Sequence, residues 1–260
     1  MLIENVFDAI VHRAKEYKYS SMNYIDFDEC KNSEILYDKE DLILLQDKSK
    51  IPSMIYFAAN DFEFFLKILA DISCKLRLHF VPREYAEQLE RLGFIEWGEY
   101  TDFWNDNLVN TAAHFVNIRS AEFLNEADCV EVSVVSQKCR LQSRGFEGES
   151  PDWFAKWLQE NKVIIQRKDS VIAGFCCVSI YNKGTTLWIR EIAVDPVCQG
   201  TGLGKKLMEQ AICYGIENGA SKGFLLADVL NENAIGLYTK YNFYATGVDS
   251  ELQMIRGELV

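Results

Sequence analysis

Three glycines within five residues form the segment of this sequence with the clearest chemical potential. Gly200, Gly202 and Gly204 follow a strand-like run and precede a helical pattern. Glycine has no Cβ, so a ligand can approach the backbone of such a loop closely. The N–H groups that begin a helix lack carbonyl partners, and the helix dipole favours an anion there. The segment therefore predicts a cradle for a phosphate or diphosphate group.

Other glycine-rich loops differ from this one in spacing. A Walker loop requires serine or threonine directly after its Gly-Lys pair, whereas Lys206 follows Gly204 and Lys205 here. A dinucleotide-binding fingerprint requires G-x-G-x-x-G early in a βαβ unit, whereas this loop reads G-x-G-x-G. A glycine-rich turn without a ligand is the remaining alternative. It is disfavoured because closely spaced glycines destabilise a chain unless close backbone approach requires them.

Two elements must hold the loop in place. Residues 188–194 are mostly apolar and rich in β-branched side chains, which predicts a buried or half-buried strand. Pro196 ends that strand because proline has no N–H for the next ladder bond. After the loop, Leu203 and Leu207 recur at helical spacing, which predicts a helix that ends near residues 218–219.

The loop also matches a family pattern. Gln199, Gly202 and Gly204 fill the arrangement Gln/Arg-x-x-Gly-x-Gly/Ala between a strand and a helix. In this respect the sequence resembles the GNAT N-acetyltransferase superfamily. The resemblance implies a mixed α/β sheet, the GNAT acyltransferase fold, for a catalytic acetyltransferase domain at residues 111–260.

A second segment, residues 231–243, carries the same resemblance independently. GNAT proteins often have Asn-x-x-Ala-x-x-Leu-Tyr-x-Lys-x-Gly-Phe at this place. The sequence departs from that pattern at Asn242, where glycine is usual, but asparagine tolerates the left-handed backbone of a helix C-terminus. The matching residues are Asn231, Ala234, Leu237, Tyr238, Lys240 and Phe243.

The resemblance implies acyl transfer from a coenzyme A thioester to an amine, with acetyl-CoA as cosubstrate. The diphosphate would bind the amides of residues 200–205, and the pantetheine arm would pair with the strand end at 192–194. The amide of Val194 would polarise the thioester carbonyl. Tyr238 would protonate the leaving thiolate, although a core tyrosine is the alternative for this residue. The residues expected to bind the cosubstrate are Ile192, Ala193, Val194, Gln199, Gly200, Thr201, Gly202, Leu203, Gly204, Lys205 and Asn231.

The acceptor amine must lose a proton, and the residues after His114 include no histidine that could take it. Glu191 is the candidate base, directly or through water, because its place in an apolar strand would raise its pKa. A solvated carboxylate, or a partner for Arg190, is the alternative for Glu191, and Asp228 is a weaker candidate base. Cys198 lies beside the loop without a histidine partner, which favours a packing role.

Residues 1–110 are predicted to form a first domain. Its strand and helix patterns follow the order β-β-α-β-α-β, and one helix ends in Leu-Gly-Phe at residues 92–94. This resembles the C-terminal half of a GNAT domain without its glycine loop, which implies a tandem protein with a degenerate GNAT-like lobe. An unrelated small α/β domain is the alternative.

Two further elements are predicted in the second domain. Residues 114–118 have the pattern of a strand. Residues 243–248 and 252–255 have the pattern of a closing hairpin.

Composition limits the classes of function. The chain has 260 residues, 48% of them hydrophobic, which allows one large core or two small ones. The net charge of −12 argues against nucleic acid or an anionic membrane as partner. Neither a membrane span nor a signal peptide is indicated, so a cytoplasmic location is expected. The eight cysteines lack CxxC spacing, which predicts reduced core thiols and no metal site.

The sequence leaves the acceptor open. A small-molecule or peptide amine is expected, bound by a monomer or homodimer. An acyl-CoA-binding regulatory module without turnover is one alternative, and a transferase that uses another acyl donor is a second.

Overall fold

The computed structural model describes residues 2–116, 120–140, 142–247 and 251–257. The chain divides into two compact units, residues 1–99 with 250–260 and residues 100–249. This division differs from the boundary expected at residue 110. The reason is that the C-terminal strand pairs within the first unit, while residues 100–105 pair within the second.

The elements alternate between helix and strand along most of the chain. Up to residue 105 they are α1 (Glu4–Ala14), β1 (Tyr19–Ser20), α2 (Phe27–Cys30), β2 (Glu34–Lys39), β3 (Leu42–Asp47), β4 (Ser53–Ala59), α3 (Phe62–Ala70), β5 (Leu76–Val81), α4 (Ala86–Arg91) and β6 (Phe94–Asn105). Beyond it they are α5 (Leu108–Ala112), β7 (Glu122–Phe123), α6 (Cys129–Lys138), α7 (Pro151–Trp157), β8 (Lys162–Lys168), β9 (Val171–Tyr181), β10 (Thr186–Val194), α8 (Leu203–Glu217), β11 (Lys222–Asp228), α9 (Glu232–Lys240), β12 (Tyr244–Ala245) and β13 (Glu251–Arg256).

In the first unit the strands lie in the order β2-β3-β4-β5-β13, with β1 beside β4. Strands β4 and β5 are parallel, and the other neighbours are antiparallel. The predicted order β-β-α-β-α-β is confirmed from β3 to β6. The sequence pattern does not indicate β2, because nearly all its side chains are exposed and show no apolar alternation.

Helices cover both faces of this sheet. All residues of β3 and six of seven in β4 are buried, as expected for strands packed on two sides. Phe57 and Phe65 lie in the core beneath α3 and α4. Ile10 of α1 packs with Ile43 and Met54 on the opposite face.

In the second unit the strands lie in the order β6-β11-β10-β9-β8-β7, with β12 beside β6. Strands β10 and β11 are parallel, and their other pairings are antiparallel, so the sheet is mixed. The predicted β8–β9 hairpin is confirmed, with Asp169 and Ser170 in its turn at φ values of 51° and 69°. The predicted glycine-loop helix is confirmed as α8, which is followed by Asn218 and Gly219.

Alternation along the strands divides the core of the second unit in two. Successive side chains of a strand point to opposite faces. Ile164, Cys176 and Val178 pack with α8 and α9. Phe175 and Cys177 pack with α6 and α7 on the other face. All eight cysteines are free and six are buried, which agrees with the expected core thiols.

Two predicted elements of this unit are wrong. Residues 114–116 do not form a strand, since they follow α5 as a turn and irregular backbone. The apolar pattern there reflects Phe115, whose ring packs 5.7 Å from that of Tyr241. The predicted final hairpin does not form either, because β12 pairs with β6 and β13 with β5. Residues 117, 118 and 248 of these predictions lie outside the described residues.

Two kinds of feature are absent from the described ranges. None of their helices is both long and apolar enough to cross a membrane. They also contain no group of three His, Cys, Asp or Glu side chains placed to hold a metal ion.

Candidate active site

The two parallel strands at the centre of the second unit separate at their carboxyl ends. Their register runs from Thr186 opposite Lys222 to Ile189 opposite Leu225 and then ends. Strand β10 continues to Val194 without this partner. A cavity of about 780 Å³ opens here, lined by residues 190–194 on one side and 226–228 on the other. We call it the splay cavity.

A β-bulge causes β10 to change course at this point. Ile189 pairs with Val178 of β9, and Glu191 pairs with the next residue, Cys177, so Arg190 is an extra residue. An extra residue bends its strand and increases the local twist. The bulge therefore places Arg190 and Glu191 together on the wall of the splay cavity.

The splay cavity brings together most of the residues that the sequence singles out. Its wall contains the predicted base, the predicted proton donor and nine of the eleven predicted cosubstrate-binding residues. These are Glu191, Tyr238, Ile192, Ala193, Val194, Gln199, Gly200, Gly202, Leu203, Gly204 and Asn231. Thr201 and Lys205 do not line it, since Thr201 donates to the Cys198 carbonyl at 2.6 Å and the Lys205 ammonium lies 3.7 Å from Glu209.

The glycine loop presents its backbone to the cavity. Gly200 and Gly202 have φ values of 75° and 86°, in the left-handed region that favours glycine. Helix α8 begins at Leu203, and no side chain caps its N-terminus. A Cβ on Gly204 would come no closer than 3.7 Å to another atom, so the fold itself leaves room for one. The side-chain amide of Gln199 donates a hydrogen bond to the Val194 carbonyl at 3.1 Å and so connects the loop to the end of β10.

Glu191 has the environment of a general base. Its side chain is 12% exposed. Its Oε2 atom is buried and has no hydrogen-bond partner. Burial raises the pKa of Glu191 to about 8, although the Arg190 guanidinium opposes this rise and the Glu149 carboxylate adds to it. The raised pKa that the sequence predicts and the pairing with Arg190 therefore coexist in one residue.

Tyr238 lies on α9 and faces the same cavity. It is 7% exposed, and its ring centroid lies 6.3 Å from that of Phe103. Burial raises the pKa of its hydroxyl, so the phenol stays protonated at neutral pH. The residue is thus a core tyrosine whose position also allows proton donation.

Two other candidates have structural partners. The Asn231 side chain accepts a hydrogen bond from the Ala234 N–H at 3.1 Å and so caps α9. Asp228 is 3% exposed and forms an ion pair with Arg144 at 2.7 Å. Asp228 also accepts from the backbone N–H groups of Arg144 and Leu230. Asp228 therefore has an ion-pair partner and two backbone donors, whereas Oε2 of Glu191 has no hydrogen-bond partner.

Some residues of the site cannot be found from sequence spacing. Arg144 comes from the segment between α6 and α7, and Tyr100 comes from β6. The Tyr100 hydroxyl donates to the Arg144 carbonyl, and both Tyr100 and Gly145 line the cavity. No motif links these residues to the loop, because only the folded sheet brings them near it.

The comparison with protein families agrees with this geometry. Residues 133–243 match the family model for acetyltransferases of the GNAT family. Residues 133–243 are a GNAT domain. This range contains the β-bulge, the glycine loop and the second motif.

One curated relative matches the GNAT domain at the level of sequence. The chain is 32% identical over 108 residues to the streptothricin acetyltransferase of Streptomyces lavendulae. The match covers 42% of this chain and 53% of that protein, so the chain spans about half the length of the curated relative.

Solved structures extend the similarity of fold beyond the GNAT domain. A GNAT-family acetyltransferase from Colwellia psychrerythraea has 7% identity and a TM-score of 0.57, over 99% of this chain and 98% of that chain. A tandem GNAT protein from the clavulanic acid biosynthesis pathway has 12% identity and a TM-score of 0.54, over 84% and 79%. The chain therefore has the GNAT fold with a second GNAT-like lobe.

Proposed function

We propose that the second unit is an acetyl-CoA-dependent N-acetyltransferase that moves an acetyl group to a primary amine. The main support for this proposal is the splay cavity, because the separated strand end, the glycine loop, Glu191 and Tyr238 all line it. The family match supports acyl transfer in general. The assignment of acetyl-CoA as the donor and of an amine as the acceptor goes beyond the family match and is our proposal.

The residues present fit the parts of coenzyme A. The uncapped N-terminus of α8 offers N–H groups to a diphosphate, and Gly204 leaves the approach open. Residues 192–194 lie beyond the end of the β10–β11 ladder, so an extended arm can pair with them as an added strand does. When bound there, the cosubstrate supplies an activated acetyl group.

The chain's own groups then have distinct tasks. Glu191 takes a proton from the acceptor ammonium, directly or through water. The N–H of Val194 stabilises negative charge on the thioester oxygen. Tyr238 donates a proton to the departing thiolate. General acid–base groups of this kind contribute roughly 10²–10⁴-fold each, and holding both reactants in place supplies much of the remaining rate.

A cationic amine antibiotic of the streptothricin type is the acceptor that we propose to test first. The similarity to streptothricin acetyltransferase over 108 residues supports this choice. The net charge of −12 favours a cation over an anion.

The test is turnover by the full chain. Acetyl-CoA is incubated with a panel of amines that includes streptothricin, polyamines and amino acids. Free coenzyme A is measured by chromatography and the acetylated amine by mass spectrometry. We expect amine-dependent release of coenzyme A, reduced about 10²-fold or more in Glu191→Gln and in Tyr238→Phe.

Each alternative gives a different result. Thermal stabilisation by coenzyme A without turnover of any amine would contradict the proposed enzyme and favour a regulatory module. Faster turnover with a longer or aminoacyl donor would favour another acyl group. If neither acetyl-CoA nor coenzyme A stabilises the protein, the proposed cradle is wrong.

A further inference from the structure

One guanidinium nitrogen on the wall of the splay cavity is shared by two carboxylates. Nη1 of Arg190 lies 3.3 Å from Oε1 of Glu149 and 2.5 Å from Oε1 of Glu191. All three side chains are largely buried, with exposed fractions of 29%, 23% and 12% in that order. A single positive charge faces two carboxylates, so the cluster has an uncompensated negative charge unless it retains a proton.

Aromatic packing fixes the position of Arg190. Its guanidinium carbon lies 4.3 Å from the ring centroid of Trp153 and 5.5 Å from that of Trp157. The two indole rings stack on each other at 5.3 Å. Because cation–π contact and the β-bulge both hold Arg190, the nitrogen between the carboxylates has little freedom to move.

The fold also fixes the backbone of Glu149. Its N–H donates to Ser136 Oγ at 2.8 Å, and its carbonyl accepts from Ser133 Oγ at 2.8 Å. Both hydroxyls belong to α6 and are buried, with exposed fractions of 0% and 5%. Gly148, at a φ of 78°, lets the chain approach α6, since a Cβ there would lie 3.0 Å from the Ser136 carbonyl oxygen. The two buried serine hydroxyls and the left-handed backbone of Gly148 therefore fix the position of Glu149.

Other titratable groups near Glu191 are neutral, already paired or exposed to solvent. Cys177 faces Glu191 across the β9–β10 ladder, with Cys176 beside it, and burial raises the pKa of both thiols.

The charged groups of the neighbouring elements have partners or face solvent. On β11, Asp228 pairs with Arg144. On α9, Tyr238 is a protonated phenol. On α6 and α8, Lys138 pairs with Asp195 and Lys205 with Glu209. On α7, Asp152 and Lys156 are exposed.

On the basis of the acetyl transfer proposed above, we propose that Glu149 is a positioning residue that forms a proton-sharing carboxyl pair with Glu191 across Arg190. Glu149 makes it harder for Glu191 to lose its proton, and Arg190 makes it easier. The two neighbours therefore tune the base in opposite directions. Glu149 acts through Arg190 and Glu191, which line the cavity, and contacts no substrate itself.

A direct test measures the titration of Glu191 without any turnover. The protein is labelled with glutamate that carries ¹³C in the side-chain carboxyl, and the signal is assigned by its loss in Glu191→Gln. We expect the midpoint in Glu149→Gln to fall by about one pH unit or more, because a like charge is removed. We expect the midpoint in Arg190→Gln to rise by a similar amount, because an opposite charge is removed.

Matched controls separate these shifts from changes in overall charge. Glu160→Gln and Lys168→Gln make the same charge changes at exposed positions, and we expect both to leave the midpoint unchanged. In active protein, the alkaline rise of kcat/KM should move with the midpoint in each variant. Shifts of the same sign in Glu149→Gln and Arg190→Gln, or no shift in either, would overturn the carboxyl pair. If the Glu191 midpoint shifts in opposite directions in the two variants but the protein turns over no amine, the carboxyl pair is supported and the proposed function is rejected.

Discussion

Burial raises the pKa of both proposed acid–base residues, with different consequences for each. Glu191 must be ionised to accept a proton, so a pKa of about 8 limits the active fraction at neutral pH. Tyr238 must be protonated to donate, so its raised pKa keeps it competent across the same range. The Oε2 atom of Glu191 is buried without a partner, and an acceptor ammonium or a water would satisfy it.

The first prediction concerns pH. Below its pKa, Glu191 carries a proton and accepts none. We therefore expect kcat/KM to rise as pH increases through about 8 and then to level off. Glu191→Gln should lose this rise together with roughly 10²–10⁴-fold of the rate. Steady-state kinetics over the pH range in which the fold is intact provide the measurement. A profile that is flat or that falls through this range would exclude Glu191 as the base.

At the scale of elements, the candidate active site lies where two strands separate. The β10–β11 ladder ends at Ile189, the bulge follows at Arg190, and α8 begins at Leu203. These features direct a strand edge, a carboxylate and a helix N-terminus into one cavity. The course of the strands therefore determines the shape of the cavity, and the glycines allow the loop backbone to follow that shape.

The second prediction tests whether a diphosphate approaches the loop. The family pattern accepts alanine at Gly204, so the informative variant is Gly204→Glu, whose Cβ would have its nearest neighbour at 3.7 Å. We expect a melting temperature close to that of the wild type, because an acidic side chain in the first turn of a helix interacts favourably with the helix dipole. We also expect acetyl-CoA affinity to fall by about tenfold or more, because the added carboxylate repels the diphosphate, and isothermal titration calorimetry measures this loss.

Its matched control lies in the neighbouring helix. Gly236→Glu makes the same charge change on α9, where a Cβ would meet open space, and should leave the affinity unchanged. Equal affinities for Gly204→Glu and the wild type would mean that no anionic group of a ligand lies at this glycine.

Local sequence signals predict the centre of the site but not its periphery. The strand at 188–194, the glycine loop and α8 are predictable because β-branched residues, proline and glycine act on their own neighbourhood. Arg144, Glu149 and Tyr100 are not, because their contacts form between distant segments only after folding. Arg144 pairs with Asp228, Glu149 pairs with Arg190, and Tyr100 donates to the Arg144 carbonyl. The partner of β13 is not predictable either, since a strand pattern does not identify the strand beside it.

At the scale of the whole molecule, the chain forms two units and returns to the first at its end. Strand β13 pairs with β5, and its Leu252 and Met254 are fully buried in the core of the first unit. The N-terminal unit is therefore incomplete until the last residues of the chain are in place. Similarity of fold to a tandem GNAT protein covers 84% of the chain, which agrees with this two-unit organisation.

The third prediction concerns this closing strand. Met254→Ala removes a side chain of the first core and should destabilise that unit by about 2–5 kcal/mol. Denaturant unfolding measures the loss, and limited proteolysis with mass spectrometry should then show the first cuts within residues 1–99. Ile95→Ala, at a position that is 61% exposed, is the control and should change stability by less than about 0.5 kcal/mol. First cuts within residues 100–249 would show that β13 does not stabilise the first unit.

Amide hydrogen exchange with and without coenzyme A tests the proposed cradle most directly. If the amides of residues 200–205 hold the diphosphate and residues 192–194 pair with the pantetheine arm, exchange should slow at both segments when coenzyme A binds. The slowing should be lost in Gly204→Glu at the same ligand concentration. Binding that leaves exchange at 200–205 unchanged, and slows it elsewhere, would contradict the account.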